Sequence, residues 1–353
     1  MAGWHRLARN FPAALLIIKD AMFIGWTRAA CLPLATVRLP AKVEITRRRS
    51  TGRDALENGA KGRTMNRRKF LFAGTRLGMA LAAGSLLSPK SVLGRAAPSE
   101  TADTAKTTQN PGRIFITGSS DGLGYLAAES LQAQGHEVIV HVRSQQRMPA
   151  VRKLVEKGAV ATVGDLSDLA QIHDLARQVN AVGRMDAVIH NAGVFSGPHV
   201  LMVNTVAPFL LTALIQRPRR LIYLSSGMHK GGSTDLAGKD WLGRSSAGGY
   251  SDSKLYVTTL AAAVARLWPD VFSNAVNPGW VPTKMGGPAA PDDLHLGHAT
   301  QEWLAVSDEP EAKTSGGYWF HRKREEPHSA VRDVRFQDLL LAELARVTGT
   351  RLA

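Results

Sequence analysis

Apolar and polar positions follow two alternating patterns from Arg113 onward. Short apolar runs, typical of buried strands, alternate with longer segments in which apolar residues recur at helical spacing. The runs predict strands at 113–117, 137–142, 160–163, 186–190, 220–224, 271–277 and 316–320. The segments between them predict helices at 123–134, 149–157, 169–179, 199–216 and 250–267.

Alternation of strands and helices predicts βαβ units and therefore a parallel sheet. Because such crossovers are right-handed and their loops are short, we expect an α/β fold with a single doubly wound Rossmann domain at 111–353. Its mostly parallel sheet should contain about seven strands, flanked by helices on both faces. No internal repeat at a period of roughly 20–50 residues is evident, which argues against a solenoid or a propeller.

Residues 1–64 form a basic, irregular N-terminal extension without a sustained hydrophobic period. Its longest apolar stretch, which starts at Phe11, is interrupted by Lys19 and Asp20. Since no run of roughly 18 apolar residues remains, we predict no membrane span. A start at Met65 rather than Met1 is a further hypothesis, in which the first 64 residues are not made in the cell.

Residues 65–110 form a signal-like segment and a linker. Arg67 and Arg68 precede a Gly/Ala-rich apolar stretch at 71–87, and small residues follow at 94–97. This order is that of an export signal and resembles the twin-arginine kind. We expect export to the periplasm or cell envelope; Arg76, which interrupts the apolar stretch, keeps a cytoplasmic location as the alternative.

The formal net charge of +15 comes almost entirely from the N-terminal arm. Residues 1–110 carry 19 Lys and Arg against 6 Asp and Glu, whereas residues 111–353 carry 25 against 23. The main domain lacks the basic surplus that polyanion binding needs, so we expect no nucleic-acid partner. The single cysteine, Cys31, excludes an internal disulfide and a cysteine-based metal site.

A glycine-rich segment, 117–124, lies where the first predicted strand meets the first predicted helix. Gly118 permits a tight turn, Gly122 lets the backbone approach a pyrophosphate, and Gly124 lets helix and strand pack closely. Free N–H groups at the helix N-terminus then face the phosphates. Because the glycines follow a strand and open a helix, the segment predicts dinucleotide binding.

The spacing Gly-x-x-x-Gly-x-Gly resembles the short-chain dehydrogenase/reductase family, of the ordinary rather than the extended type. Further family motifs follow in order within 112–325: Asp165-Leu166, Asn191-Ala192-Gly193, Asn204, Ser225-Ser226, Tyr250-x-x-x-Lys254, and Pro278-Gly279 with Thr283. The resemblance implies an NAD(P)-binding Rossmann fold. It also implies a set of cofactor contacts: Thr117, Gly118, Ser119, Ser120, Gly122, Leu123, Gly124, Arg143, Ser144, Asp165, Leu166, Asn191, Ala192, Gly193, Tyr250, Lys254, Pro278, Gly279, Val281 and Thr283.

The end of the second strand indicates which nicotinamide cofactor is used. An acidic residue there would bind the ribose 2′-hydroxyl of NAD, whereas a basic one accommodates the 2′-phosphate of NADP. The chain has Arg143 and no acidic residue at this tip, and Ser120 or Ser144 could add a hydroxyl. We therefore expect NADP(H) rather than NAD(H); the alternative for Arg143 is an ordinary solvated arginine.

Tyr250 and Lys254 lie four residues apart at the start of a predicted helix, so phenol and ammonium share one face. The ammonium and an oxidised nicotinamide would lower the pKa of Tyr250 from ~10. Tyr250 would then act as a general acid or base on a substrate oxygen. The resemblance implies that Ser226, rather than Ser225, binds the same oxygen. It further implies that Lys254 binds the nicotinamide ribose and that Asn204 holds a water linking Lys254 to solvent.

Together these residues predict an NADP(H)-dependent oxidoreductase that interconverts a carbonyl and an alcohol, acting on CH–OH donors. Trp280, Val281 and Met285, in an expected lid at 280–300, indicate a small-molecule substrate that is apolar or amphipathic. One alternative is a non-catalytic NADP-binding sensor or scaffold of the same fold. Another is a nucleic-acid or membrane-surface protein that acts through its basic arm.

The segment between Gly193 and Asn204 contains ten residues, fewer than is usual in the family. We therefore expect the helix that carries Asn204 to be shortened at its start, which puts the usual homo-oligomer in doubt. His229 is expected to support the loop after Ser226. The acidic and histidine residues at 292–298 are interpreted as a solvated loop without a metal, and 322–326 as an exposed charged segment.

Overall fold

The computed structural model of the protein describes residues 111–245 and 248–352. Residues 1–110, with the signal-like segment and Met65, lie outside the described residues. The strands are β1 (Arg113–Ile116), β2 (Glu137–Val142), β3 (Val160–Val163), β4 (Ala187–His190), β5 (Arg220–Leu224), β6 (Phe272–Asn277), β7 (Tyr318–Phe320) and β8 (Lys323–Glu325). The α-helices are α1 (Gly122–Ala133), α2 (Arg152–Glu156), α3 (Leu169–Val182), α4 (Ala207–Leu214), α5 (Tyr250–Leu267), α6 (Leu294–Val306) and α7 (Val334–Thr348).

The strands form one eight-stranded sheet in the order β3-β2-β1-β4-β5-β6-β7-β8. The first seven run parallel, and β8 pairs antiparallel with β7 at the edge. Strand order reverses between β1 and β4, and the crevice at such a switch point is where ligands bind in doubly wound folds. The predicted α/β Rossmann architecture is confirmed.

Side chains of β1 alternate between two cores, one on each face of the sheet. Ile114 and Ile116 pack in the same cluster as Trp303 of α6, on the face that also holds α1 and α2. Phe115 points the other way, into the cluster that contains Leu260 of α5 and residues of α3, α4 and α7. Because both faces of each central strand are buried, these strands are continuously apolar in the sequence.

The predicted helix at 149–157 begins earlier and in a different form. A 3₁₀ helix covers Gln145–Val151, and α2 follows it. Pro149 explains the difference, because it has no N–H to donate and it disfavours the α conformation at Met148. The chain therefore enters α2 through a tighter turn.

The predicted helix at 199–216 contains a π-helical turn at Met202–Val206 before α4. An α-helical hydrogen bond to the carbonyl of Asn204 would need the N–H of residue 208, which is a proline. The π-helical turn shifts the pairing by one residue and so avoids the missing donor. Turns of this kind recur at functional sites, and this one carries Asn204.

Two parts of the C-terminal region differ from expectation. The charged segment at 322–326 contains β8, whose polar side chains suit an exposed sheet edge but hide the strand from a hydrophobic pattern. Its turn uses His321 and Arg322, both with positive φ (48° and 61°), as a tight hairpin requires. The expected lid at 280–300 ends at Asp293, since α6 begins at Leu294 and is largely buried. Within the described residues, no helix has the length and apolar content of a membrane span.

Candidate active site

A cavity of about 460 Å³ opens at the carboxyl ends of the central strands. Most of the predicted cofactor contacts line it: Gly118, Ser120, Gly122, Leu123, Arg143, Asp165, Leu166, Asn191, Ala192, Gly193, Tyr250, Lys254, Pro278 and Thr283. The other predicted site residues are absent from its lining: Thr117, Ser119, Gly124, Ser144, Asn204, Ser226, Gly279 and Val281. Met285, predicted to lie over the substrate, also lines the cavity. Lining residues that the sequence analysis did not assign to the site include Asp121, His141, Ser167, His199, Ser225 and Lys284.

The glycine-rich loop packs against the end of β4 at distances that only glycine permits. Gly118 has a φ of +69°, and a Cβ there would lie 2.9 Å from the Cα of Ala192. A Cβ on Gly124 would lie 2.3 Å from the side-chain nitrogen of Asn191. That nitrogen donates to the carbonyl of Thr117 at 2.9 Å. Asn191 therefore joins the end of β4 to the loop that precedes α1.

Thr117 and Ser119 are buried and use their hydroxyls within the protein. Thr117 Oγ1 accepts the N–H of Ala192 at 3.0 Å. Ser119 Oγ donates to the carbonyl of Ile116 at 2.6 Å and accepts the N–H of His141 at 2.8 Å. These two hydroxyls shape the loop from behind. That Thr117 and Ser119 contact the cofactor stays a prediction.

Asp121 caps the N-terminus of α1 and pairs with two cations. Its carboxylate accepts the N–H of Gly122 at 2.8 Å. It also contacts Lys284, from the segment after β6, and lies 4.0 Å from Arg147. The contact with Lys284 is the main reason why the pKa of Asp121 lies below its ordinary value. The negative charge at this anion-binding helix end is thus offset by neighbouring lysine and arginine.

The tip of β2 presents Arg143 to the cavity. Its side chain is exposed at the rim. Ser144 instead turns the chain, since its carbonyl accepts the N–H of Arg147 at 2.9 Å. Beyond β3, Asp165 Oδ1 accepts both the N–H and the hydroxyl of Ser167, at 2.9 and 2.7 Å. Arg143 and Asp165 therefore bound the same end of the cavity.

Tyr250 opens α5, and its phenol lies near enough to the side chain of Ser226 for that side chain to affect its pKa. Ser225 faces a different partner, because its hydroxyl lies 2.5 Å from that of Thr258. Burial raises the pKa of Tyr250 above its ordinary value, and the interaction with Ser226 offsets only part of this effect. The expected lowering of the pKa of Tyr250 is therefore not produced by the protein groups alone.

Lys254 lies beside Tyr250 and is almost fully buried. Its Nζ donates to the carbonyl of Leu224 at 2.7 Å and lies 5.5 Å from the centroid of the Tyr250 ring. Burial lowers the pKa of Lys254 to about 8. At neutral pH the ammonium form still prevails, so a positive charge lies next to the phenol.

Asn204 holds two elements of the site together. Its Oδ1 accepts the N–H of Val194 at 2.8 Å, and its Nδ2 donates to the carbonyl of Val194 and the hydroxyl of Ser253, both at 2.9 Å. The Ser253 hydroxyl in turn donates to the carbonyl of Tyr250 at 2.7 Å. The side chain of Asn204 thus ties the segment after β4 to the first turn of α5.

His229 supports the loop that carries Ser226. It is fully buried, with Nδ1 2.7 Å from the carbonyl of Ser226 and Nε2 accepting the N–H of His328 at 3.0 Å. Its ring also packs on Tyr318, with centroids 4.5 Å apart. His229 therefore contacts the loop rather than the cavity.

The segment after β6 folds against the glycine-rich loop and α6. Gly279 has a φ of +83° and packs against Asp292, whose carboxylate accepts the N–H of Trp280 at 2.6 Å. Val281 is buried against Gly297 of α6, where a Cβ would lie 2.7 Å from it. In the described part of the chain, no three His, Cys, Asp or Glu side chains gather as metal ligands.

Comparison with known proteins assigns the chain to a family. A family profile described as "short chain dehydrogenase" matches residues 113–216. Short-chain dehydrogenase chry4 of Gibberella zeae is 36% identical over 256 residues, which cover 68% of this chain and 98% of that protein. The chain belongs to the short-chain dehydrogenase/reductase family. Short-chain dehydrogenase chyC of Penicillium rubens, another relative, is also 36% identical, with the same coverage of both chains.

The solved structures agree on the fold of this short-chain dehydrogenase/reductase. The crystal structure of an uncharacterized protein from Mycobacterium paratuberculosis superposes with a TM-score of 0.58 at 23% identity. The match covers 70% of this chain and 98% of the other. Membership of the family makes the protein an oxidoreductase of the dehydrogenase/reductase type.

Proposed function

We propose that the protein is an NADP(H)-dependent oxidoreductase that interconverts a carbonyl and an alcohol, with Tyr250 as the general acid and base. The observation that carries the proposal is the pairing of Tyr250 with buried Lys254, whose Nζ lies 5.5 Å from the centroid of the phenol ring, with the side chain of Ser226 close by. Tyr250 and Lys254 face the cavity that the glycine-rich loop lines. The phenol of Tyr250 can donate a proton to a substrate oxygen, the hydroxyl of Ser226 can bind that oxygen, and the ammonium of Lys254 lies beside them. These three groups lie where the nicotinamide end of a dinucleotide would be.

The residues around the cavity fit a dinucleotide. The first turn of α1 leaves backbone N–H groups without partners in the helix, and these bind phosphate. A Cβ on Gly122 would lie 3.5 Å from Thr283, and one on Gly193 would lie 3.5 Å from Lys254 Nζ. A side chain at Gly122 would extend against Thr283 and one at Gly193 against Lys254, both of which line the cavity. The glycines keep this cradle open.

The chain's own residues supply the proton chemistry. In reduction, Tyr250 donates its phenolic proton to the carbonyl oxygen, and its raised pKa keeps that proton in place at neutral pH. The Ser226 hydroxyl orients the same oxygen, and the Lys254 ammonium stabilises the phenolate that remains. Bound NADP(H) would supply or accept the hydride. In oxidation, Tyr250 takes the alcohol proton by the reverse path.

Arg143 is the residue expected to select NADPH over NADH. We expect Arg143→Ala to raise the Kd for NADPH at least about 10-fold, because a charge-assisted contact to the 2′-phosphate is lost. The Kd for NADH, which lacks that phosphate, should change less than about 3-fold. Fluorescence titration of both cofactors into the full chain measures the two constants. Arg335→Ala is the control, since Arg335 is an exposed arginine on α7 that does not line the cavity. Equal losses of both cofactors in Arg143→Ala would refute the selection of NADP by Arg143.

Exposed apolar side chains lie beside the catalytic tyrosine and in the segments that flank the cavity. The ring of Phe195 packs on that of Tyr250, with centroids 4.8 Å apart, yet Phe195 remains 52% exposed. Met228, Trp280 and Met285 are also about half exposed. Exposed large apolar side chains at the mouth of a cavity are typical of a binding surface. We infer a substrate whose carbonyl is attached to a bulky apolar body.

Phe195→Ala tests this substrate class. We expect kcat/KM for an aryl ketone such as 2-acetylnaphthalene to fall about 10-fold or more, because the aromatic contact is removed. The value for acetone should change less than about 3-fold, since acetone is too small to reach Phe195. Rates come from NADPH consumption. Leu339→Ala removes an equally exposed apolar side chain on α7 and should affect neither substrate; a similar loss for both ketones would contradict the assignment.

A further inference from the structure

His141 is the buried titratable residue of the cavity wall that the proposed chemistry does not use. It occupies the next-to-last position of β2 and is 3% exposed. Its Nδ1 accepts the N–H of Gly118, the first glycine of the loop, at 3.0 Å. Its Nε2 lies 2.7 Å from the carbonyl of Gly164, which follows β3. One imidazole therefore bridges the two segments that bound the same end of the cavity.

Only one form of the ring satisfies both contacts. Nδ1 must be unprotonated to accept from Gly118, and Nε2 must carry a hydrogen to donate to Gly164. An imidazolium would set a second N–H against that of Gly118. Burial lowers the pKa of His141 to about 4, although the nearby carboxylate of Asp165 favours protonation. The neutral Nε2–H tautomer is therefore the form present at physiological pH.

The backbone of His141 adds two further contacts to the same loop. Its N–H donates to the hydroxyl of Ser119 at 2.8 Å, and its carbonyl accepts the N–H of Ser119 at 3.2 Å. With the ring contact to Gly118, three hydrogen bonds fasten the glycine-rich loop to β2. A fourth hydrogen bond, between Nε2 of His141 and the carbonyl of Gly164, sets the distance from the glycine-rich loop to the segment that carries Asp165.

We propose that His141 is a positioning residue for the adenosine half of the dinucleotide: its ring holds the glycine-rich loop and the segment after β3 at the separation that the cofactor requires. The inference rests on the proposed function, because it assigns a role within that cofactor site. The ring acts through Gly118 and Gly164 and is not a catalytic residue. Its loss should weaken cofactor binding without altering the proton chemistry at Tyr250.

His136, which directly precedes β2, provides a matched control. Its Nδ1 accepts the N–H of Gly112 at 3.1 Å, so it makes the same kind of bond to the chain next to β1. It is also buried, at 8% exposure. It lies at the opposite end of the sheet and does not line the cavity. A general loss of stability would affect both variants, whereas a positioning role would separate them.

The test is isothermal titration of the full chain with NADPH and with the fragment 2′,5′-ADP, which contains only the adenosine half. We expect His141→Ala to raise both Kd values at least about 10-fold, and His136→Ala to change them less than about 2-fold. His141→Gln should restore affinity to within about 3-fold of wild type, because its amide can accept from one side and donate to the other. At saturating NADPH, kcat of the variants should match wild type while KM for NADPH rises.

Unchanged Kd values in His141→Ala, or equal losses in His136→Ala, would overturn the proposal. If His141→Ala does not fold, His141→Phe decides, because it keeps a ring and removes both hydrogen-bonding nitrogens; Kd values within about 2-fold of wild type would then overturn the proposal. Hydrogen exchange of the 113–123 backbone separates this inference from the proposed function. Faster exchange in His141→Ala but not in His136→Ala supports the loop-holding role even if the wild type binds neither ligand, in which case the cofactor assignment fails. Unchanged exchange would refute the loop-holding role.

Discussion

Tyr250→Phe is expected to lower kcat by about 1000-fold or more while leaving the Kd for NADPH within about 3-fold of wild type. The substitution removes one oxygen, and with it both the transferable proton and the interaction with Ser226. The ring remains, so the packing with Phe195 and the shape of the cavity are kept. Cofactor affinity therefore reports that the site is intact, and the rate reports the missing proton.

The measurement is NADPH consumption with an aryl ketone, alongside a fluorescence titration of NADPH. Tyr256→Phe is the matched control, because it removes a phenol from the same helix. The hydroxyl of Tyr256 donates to the carbonyl of Asp235 at 3.2 Å and does not face the cavity. We expect near-wild-type rates from this control. Wild-type rates in Tyr250→Phe would instead favour a dinucleotide-binding sensor or scaffold.

Lys254→Met is expected to lower kcat by roughly 100-fold or more, because the phenolate formed at Tyr250 loses the adjacent positive charge. The Lys254 ammonium lies 5.5 Å from the centroid of the Tyr250 ring. Among the described residues, no second cation contacts that ring and could replace it. NADPH binding should also weaken, since Lys254 lines the cavity. Steady-state rates and a titration of NADPH measure the two effects.

The same variant should alter how stability depends on pH. The pKa of Lys254 is lowered from 10.5 to about 8 in the folded protein. Between pH 8 and 10.5 the unfolded chain binds a proton that the folded chain lacks, so the free energy of unfolding rises with pH. Below about pH 8 both states hold the proton, and the cost of burying the charge is fully present. Above 10.5 both are neutral.

Urea denaturation at pH 7 and pH 10 measures this dependence. Relative to Lys254→Met, the free energy of unfolding of the wild type should rise by on the order of 3 kcal/mol between pH 8 and pH 10.5. Most of this rise should be complete by pH 10. The raised pKa of Tyr250 acts in the opposite direction at higher pH, but it is present in both proteins. Parallel pH profiles for wild type and variant would show that the ammonium is not desolvated as the structure indicates.

Several elements were predictable because local pattern alone determines them. The bounds of β2, β3, β5 and α5 coincide with the predicted segments. For β2 and β5 the reason is that central strands buried on both faces have short apolar runs in the sequence. The glycine-rich loop was predictable for a related reason. At Gly118 and Gly124 a side chain would overlap the backbone or side chain of a neighbour. The glycines in the sequence therefore indicate that other residues pack closely against the loop.

Other features depend on partners that the local pattern does not show. Lys323–Glu325 forms a strand because β7 offers an unpaired edge, although its own side chains are polar and exposed. His141 could have been noticed as a polar residue inside an apolar strand, but its partners lie 23 residues away on either side. The buried hydroxyls of Thr117 and Ser119 likewise accept from distant N–H groups, those of Ala192 and His141.

The residue types of the site, their order and the elements that carry them follow from short-range rules of strand, helix and turn formation, which act within a few residues. The chemistry of these groups follows from contacts made only when distant segments meet. The packing of β5 against α5 decides which serine lies beside Tyr250, Ser226 rather than Ser225. The same packing decides how far burial lowers the pKa of Lys254. Desolvation is a property of the assembled interior, since water is excluded only when all of its walls are in place.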